Sequence, residues 1–582
     1  MKLYSRLTGE FQQIKDGVEL PSGLYALMDN NKQTILFDDG SGKYQSETDT
    51  IQFNLDERGQ SDSDKFNDNE ALAIIFDAIE HIADKFKDNS RSAFSHLLPP
   101  EISEFIAPSE LDQAIAKGFN DGVFQTINQR PRMSMRYDVE LMATSRVKRY
   151  ASNYQAHLVA HSECWQQRTF TGIIPKKLKG QISEDEIVIY ENMVYARLID
   201  NLLRYLAGAQ ARIAQILKVI EEFGQLDAQD NVYHYVTQIA TDWGRAFVQA
   251  DAGDLAEQGH DQMNSVQYLR AKLIQMKNGS LYRGIPQNLQ VGIALKSTNI
   301  LIHDDNYCRL AAIWRLWSKE SANKRFNPSE LLAEKQHRQC IYIDYSQTVL
   351  QQIFDDVGWA INPQMTELAI SDHINVKITN PAEGIWQFHH CDDIIFRIVV
   401  SAEPLLKVDL QCEKAATIII VPQIIAPQIY ETVIELSPLN LHAKETLARV
   451  VVKSVWQWLL NIFMQPLQEK LPSTVERALS ENRSIHTPLT QEQTRIITKQ
   501  ANKDLVNLIE LKSAIATFIR ICPYCGKSVN YHSFDVNSNG YFKGQCHDKS
   551  CGSSWTHDRN KSSFFILNHE GNDDGRYAFS IS

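Results

Sequence analysis

With 582 residues, 43% of them hydrophobic and 22% charged, the chain holds enough apolar material for about three ordinary domains, which excludes a globally disordered protein. No apolar run approaches the ~18 residues of a membrane span, and the opening MKLYSRLTGEF lacks the apolar core of a secretory signal. The expectation is therefore a cytoplasmic protein with no membrane partner, in which clustered cysteines serve a metal rather than disulfides.

The net charge of -12 is unevenly spread. Residues 1–129 carry 23 Asp/Glu against 11 Lys/Arg, whereas residues 130–179 carry ten Lys/Arg against three Asp/Glu. An acidic beginning repels nucleic acid, while the basic segment attracts it.

In chain order, residues 1–53 alternate short apolar runs with turn signals, as in LPSGLYALMD and TILFDDGSG, which predicts a small β module with hairpins. A helix is predicted for ALAIIFDAIEHIADKF, and EISEFIAPSELDQAIAKGF reads as two short helices, the second capped by Ser109. The basic stretch follows. Arg146, Lys148 and Arg149 sit among Tyr150 and Tyr154; Trp165, Arg168, Lys176, Lys177 and Lys179 come next. Interleaved cations and aromatics suit phosphates and stacked bases; the competing reading is a basic loop paired with acidic residues downstream. His157 and His161 share a helix face but lack a third ligand, so a structural pair is the expectation.

From Ser183 to Phe223 no proline interrupts, and Val194, Leu198, Leu202, Leu206, Ile213, Leu217 and Ile220 recur at helical spacing. One long helix, or two in tandem, is predicted, with Ser183 as N-cap and Glu184, Asp185 and Glu186 in its first turn. Further helices complete a helical centre. Asp304, Asp305 and Asn306 read as a capping loop, with a divalent-ion site as the rarer alternative, ahead of a helix whose apolar side bears Leu310, Ile313, Trp314 and Trp317. After 341 the texture changes: the helix YSQTVLQQIFDDVGW, strands INVKIT, IIFRIVVSA, LLKVDLQ, ATIIIVPQII and TVIELS, then the helix ETLARVVVKSVWQWLLNIFM. Residues 467–492 read as a linker, and EQTRIITKQANKDLVNLIELKSAIATFIR as one helix.

The most specific motif is Cys522-x2-Cys525 followed by Cys546-x4-Cys551, the pattern of a zinc ribbon. Four thiolates close a tetrahedral shell around a structural Zn2+ and leave no open catalytic position. Tyr524, Tyr531, Phe534, Tyr541, Phe542 and Trp555 make the ribbon aromatic, for stacking on bases or for packing on a neighbour.

Three pieces, VKRY…SECWQQRTF…PKKLKG, YENMVYARLIDNL with Glu191 and Asn192, and LKSTNILIHDDNYCRLAAIWRLW, together resemble a bacterial domain of unknown function. That domain stands ahead of PD-(D/E)XK nuclease folds in McrC-like restriction and phage-defence proteins. The resemblance covers residues 130–320. By position it implies that residues 341–470 are a nuclease-like α/β domain; with the patterning above, the chain is expected to be multidomain α+β, with an acidic N-terminal β/α module over 1–129 and a basic segment with a helical central domain over 130–330. A linker and helix over 471–520 and the zinc ribbon over 521–582 follow. The catalytic signature does not carry over, since 341–470 contains no (Asp/Glu)-x-Lys triplet. Asp393, Asp409, Glu413 and Lys414 are the nearest set, and Glu510-Leu511-Lys512 lies outside the domain.

The expected function is a nucleic-acid-binding subunit of a bacterial anti-phage, restriction-like defence system, working with an ATPase, helicase or nuclease partner. Arg146, Lys148, Arg149, Arg168, Lys176 and Lys177 would hold phosphates, the ribbon would grip single-stranded DNA or a distorted duplex, and the helical centre would dock the partner. The alternatives are a divergent Mg2+-dependent nuclease using Asp393 or Asp409 with Glu413 and Lys414, and a zinc-containing interaction scaffold.

Overall fold

The computed structural model describes residues 2–12, 19–20, 23–29, 32–35, 37, 44–45, 52–55, 72–80, 82, 106–226, 252–322, 328–390, 393–404, 416–424, 432–465, 467, 472–479, 488–522, 527–530, 533–536, 542–548, 552–558 and 563–567. The architecture is multidomain α+β, with a small N-terminal sheet, a helical middle and a mixed sheet beyond it. Two compact units divide the chain: Met1–Glu104, Gln215–Glu257 and Phe326–Ser582 form one, and Phe105–Ala214 with Gln258–Arg325 the other. Among the described residues no helix is long and apolar enough to cross a membrane.

The N-terminal β module forms as its hairpin signals predict. Strands β1 (Lys2–Ser5), β2 (Phe11–Gln12), β3 (Glu19–Leu20), β4 (Tyr25–Asp29), β5 (Lys32–Ile35), β6 (Tyr44–Gln45) and β7 (Gln52–Leu55) make a four-stranded sheet, order β2-β1-β4-β5, and a three-stranded one, order β3-β7-β6. Helix α1 (72–80) follows, burying Ile75, Phe76 and Ile79.

In the second unit, Ser109 caps α2 (Glu110–Asn120) through a reciprocal box with Asp112, and α3 (Val123–Gln129) follows. Strand β8 (Ser134–Ala143), helix α4 (Tyr154–Ala160), strands β9 (Trp165–Thr169) and β10 (Gly172–Pro175), and strand β11 (Lys177–Glu186) then build a largely exposed β arm. β8 and β11 pair antiparallel over ten rungs, from Lys177 opposite Ala143 to Glu186 opposite Ser134. This corrects the expected start of the long helix. Ser183, Glu184, Asp185 and Glu186 end a strand, and the helix, α5 (Tyr190–Leu226), begins only after them. The ladder satisfies the backbone of the whole segment, whereas a helix cap satisfies only one or two donors. Ile187, Val188 and Ile189, stiff at χ1, also favour extended chain over a first helical turn.

α5 is one helix of 37 residues, and Val194, Leu198, Leu202 and Leu206 are wholly buried as their spacing requires. Around it stand α6 (Ala252–Lys277), α7 (Ser280–Gly284), α8 (Asn299–His303) and α9 (Asp305–Ala322), the last burying Leu310, Ile313, Trp314 and Trp317.

The rest of the first unit opens with α10 (Pro328–Val357), which starts earlier than its sequence signal. Seven strands follow: β12 (Ala360–Ile361), β13 (Glu367–Ser371), β14 (Ile374–Thr379), β15 (Ile385–His390), β16 (Asp393–Val400), β17 (Ala416–Val421) and β18 (Val433–Glu435). They lie side by side in chain order, antiparallel as far as β16, with β16–β17 and β17–β18 parallel. INVKIT, IIFRIVVSA, ATIIIVPQII and TVIELS supply β14, β16, β17 and β18; LLKVDLQ lies outside the described residues. α10 and α11 (Ala443–Met464) bury Tyr342, Val349, Phe354, Val451, Val455 and Phe463 in one core with the sheet.

Beyond α11, the stretch read as a linker contains α12 (Ser473–Ala478), and the stretch read as one helix is two, α13 (Gln491–Gln500) and α14 (Lys503–Phe518). They separate where Ala501 and Asn502 turn to extended backbone. An antiparallel meander, β19 (Phe534–Val536), β20 (Phe542–Gln545), β21 (Ser554–Asp558) and β22 (Ser563–Leu567), ends the described chain.

Candidate nucleic-acid interface and metal centre

The arm is fastened at its root by a buried polar cluster. The Asn192 amide donates to the carbonyls of Arg132 and Ile187 at 2.8 and 2.9 Å, and accepts from the Tyr307 hydroxyl at 2.6 Å. Tyr307 in turn accepts from the Arg132 N–H at 3.1 Å. Arg132 precedes β8 and Ile187 follows β11, so both strands leave from one side chain of α5. The Arg132 guanidinium pairs with Asp304 at 2.6 Å, and Asp304 also accepts from the N–H groups of Asn306 and Tyr307. Burial pushes the Asp304 carboxyl up, but the bonds from Arg132 and those N–H groups outweigh it and hold its pKa below the ordinary value. Asp304 is thus the N-terminal cap of α9, in agreement with the capping reading.

All six cations expected to meet phosphate lie on the arm and are exposed: Arg146, Lys148 and Arg149 in the turn after β8, Arg168 on β9, and Lys176 and Lys177 at the β10–β11 junction. Among the described residues none of the six forms an ion pair. Residues Arg149–Ala151 run alongside β11 as a short third strand, with Gln181 donating to the Arg149 carbonyl at 2.8 Å and Ala151 to that of Lys179 at 3.1 Å. This carries Arg149 over the Tyr137 ring, 5.5 Å from its centroid, and Tyr150 stacks on Tyr154 at 4.8 Å. Arg168 stands 6.0 Å from the Trp165 ring, whose N–H donates to the Leu158 carbonyl at 2.6 Å. A cleft of about 580 Å³ opens between Thr144, Ser145, Trp165, Gln166, Pro175 and Lys176.

His157 and His161 stack at 4.1 Å, and His161 pairs with Glu163 at 2.7 Å. Partial desolvation, with Lys179 and His161 close by, draws the His157 pKa below its usual value. Among the described residues no group of three metal ligands includes the pair. One feature of the arm escaped the sequence reading. Met135, Tyr137, Val139 and Leu141 form an exposed apolar row on one face of β8, signalled by the strict alternation in MRYDVEL.

In the C-terminal segment, Cys522 and Cys546 are both buried and occupy equivalent places in two hairpins. Cys522 donates its N–H to the Lys527 carbonyl at 2.9 Å, and Cys546 to that of Ser553 at 2.8 Å. Cys525 and Cys551 lie outside the described residues. Gly552, beside the second hairpin, has φ +53, the left-handed conformation that glycine adopts without strain. Lys527 and Asp548 join the two hairpins through a 2.5 Å ion pair. Two buried thiols at matching hairpin positions fit a closed thiolate shell; among the described residues no group of three ligands occurs.

The aromatics of the C-terminal segment divide. Phe534, Phe542 and Trp555 are buried, so they pack rather than stack on bases; Tyr524, Tyr531 and Tyr541 lie outside the described residues. Trp555 donates to the Ile519 carbonyl at 2.8 Å, and Phe542 meets Phe463 edge-on at 6.0 Å, joining β20 and β21 to α14 and α11. Gly544 faces Trp555 across the β20–β21 ladder, where any Cβ would collide with the indole.

Of the nuclease candidates, Asp393 is exposed at the start of β16, while Asp409, Glu413 and Lys414 lie outside the described residues. The Glu510-Leu511-Lys512 triplet splits across α14. Glu510 is exposed, while Lys512 is buried with its amine donating to the carbonyls of Ile462, at 2.6 Å, and Gln465 at the end of α11. Lys512 is a helix C-terminal cap. The chain matches no protein-family model, no curated protein and no solved structure.

Proposed function

We propose that the chain binds nucleic acid through the arm formed by residues 134–186. The observation that carries this reading is the set of six exposed cations on one module, none of them in an ion pair among the described residues, interleaved with Tyr150 and Trp165 in a chain that is otherwise acidic. Cations left without carboxylate partners are free to displace the counterions of a phosphate backbone, and neighbouring aromatic rings serve unstacked bases. The root cluster at Asn192 supports the same reading, because a rigid base lets contacts made along the arm act together.

The cysteine hairpins are proposed to hold a structural Zn2+ through Cys522, Cys525, Cys546 and Cys551. Its role is to brace the ribbon against α11 and α14, not to react. The resemblance of residues 130–320 to a domain of restriction-like systems supports placing the protein beside an ATPase, helicase or nuclease partner in anti-phage defence.

The test is nucleic-acid binding across a salt series, with and without Mg2+, for the native chain and for the combined variant Arg146→Glu, Lys148→Glu, Arg149→Glu. With six phosphates neutralised, log K is expected to fall with log salt at a slope of about -5 on duplex, and the variant to lose roughly half of that slope. Binding that ignores salt, or an unchanged variant, refutes the reading. Cleavage in Mg2+ that disappears in Asp393→Ala replaces it with the nuclease alternative.

A further inference from the structure

We propose, resting on the nucleic-acid reading above, that the cleft at Trp165 receives one unstacked nucleotide, so that the arm prefers single-stranded nucleic acid to duplex. The walls are preset. The Lys176 N–H donates to the Cys164 carbonyl at 2.8 Å and its carbonyl accepts from the Thr144 N–H at 3.3 Å, which ties the turn after β8 to the β10–β11 junction. The Thr144 hydroxyl donates to the Pro175 carbonyl at 2.8 Å, closing the same side. The Trp165 indole is fixed by its bond to Leu158, so the ring does not have to be ordered when a base arrives. A ring held in place loses little entropy on stacking, and stacking is available to every base because each has a π face.

The remaining lining groups match the other parts of a nucleotide. Lys176 is exposed, has no ion pair among the described residues, and stands where a phosphate flanking the base would lie. Gln166 and Ser145 are exposed and have no hydrogen-bond partner among the described residues, so an amide with both a donor and an acceptor and a hydroxyl are left for a base edge. At about 580 Å³ the cleft is within the range of small-molecule sites, roughly 300–1,000 Å³. In a duplex the base is stacked and paired and does not reach the indole, so the contact is withheld from double strands.

The experiment titrates the full chain with fluorescent oligo-dA and oligo-dT, their ribo-equivalents and a duplex of the same length. Trp165→Ala is expected to lower affinity for single strands roughly 10- to 100-fold while leaving duplex affinity and the salt slope unchanged, with Trp165→Phe restoring most of the loss. Because Trp165→Ala also removes the bond to Leu158, Gln166→Ala provides a second readout from an exposed side chain without partners. It is expected to bring the affinities for dA and dT to within about twofold of each other with the salt slope intact. Single- and double-strand affinities that fall together in Trp165→Ala, or that do not change in either variant, overturn the nucleotide slot and leave the basic-arm reading standing. A native chain that retains no nucleic acid even at low salt overturns both.

Discussion

Asn192 donates its side-chain amide to the main-chain carbonyl of Arg132 at 2.8 Å, and that bond holds the first strand of the arm to the long helix. The same amide reaches Ile187 beyond the second strand, and Tyr307 closes the cluster from α9. Replacing Asn192 by Leu leaves two carbonyls and a tyrosine hydroxyl buried without their partner. The expected cost is on the order of 2–4 kcal/mol, concentrated at the arm's root. Hydrogen exchange checks it: the amides of 134–143 and 177–186 are expected to exchange faster relative to those of 194–206, and uniform acceleration would contradict the clamp.

Arg6 is fully buried and makes its hydrogen bonds to carbonyls: Gly23, Glu383 at 2.9 Å and Val400 at 2.7 Å. Burial draws its pKa down to about 10, opposed by nearby Glu383. The guanidinium thereby joins β1 and β4 to the ends of β15 and β16. Arg6→Met keeps the volume but abandons the carbonyls, at an expected cost of roughly 2–4 kcal/mol. Urea unfolding reads the loss, and limited proteolysis is expected to remove the first residues sooner than in the native chain.

Lys512 gives a pH dependence of definite sign. Burial draws its pKa down to about 8, against about 10.4 in an unfolded chain. Below pH 8 both states carry the proton and its contribution is constant. Between pH 8 and about 10.4 the unfolded state holds the extra proton, so this group makes stability rise with pH. Lys512→Met removes that rise. The difference in Tm between native and variant chains is expected to be flat below pH 8 and to change steadily above it; a flat difference throughout would show that the amine keeps an ordinary pKa.

Metal analysis of the native chain is expected to return one zinc per chain, falling to none in Cys522→Ser or Cys546→Ser. Because Trp555 and Phe542 share the core of α11 and α14, removal of the metal by a chelator is expected to loosen more than the ribbon. A red shift in tryptophan emission and faster exchange across 503–518 as well as 542–558 report it. Retention of zinc by both serine variants would exclude the thiolate site.

What the sequence determined by itself was everything that depends on neighbours along the chain. The apolar spacing of α5, the capping of α2 by Ser109 and of α9 by Asp304, and the charge of the basic segment all arise within a few residues of one another, as does the paired spacing of the cysteines. Periodicity and capping are local properties, so they were legible without partners. Tertiary structure decided what depends on distant pairing. Glu184, Asp185 and Glu186 have the composition of a first helical turn, yet the ladder to β8 draws them into a strand. Phe534, Phe542 and Trp555 look equally suited to bases and to a core until α11 and α14 cover them. Asn192 stands out in the sequence only as part of a resemblance, and the return of Arg132, Ile187 and Tyr307 to one point is what turns it into the root of the arm. In each case a long-range contact outweighed the local preference, because a whole ladder or a buried face contributes more than a single cap.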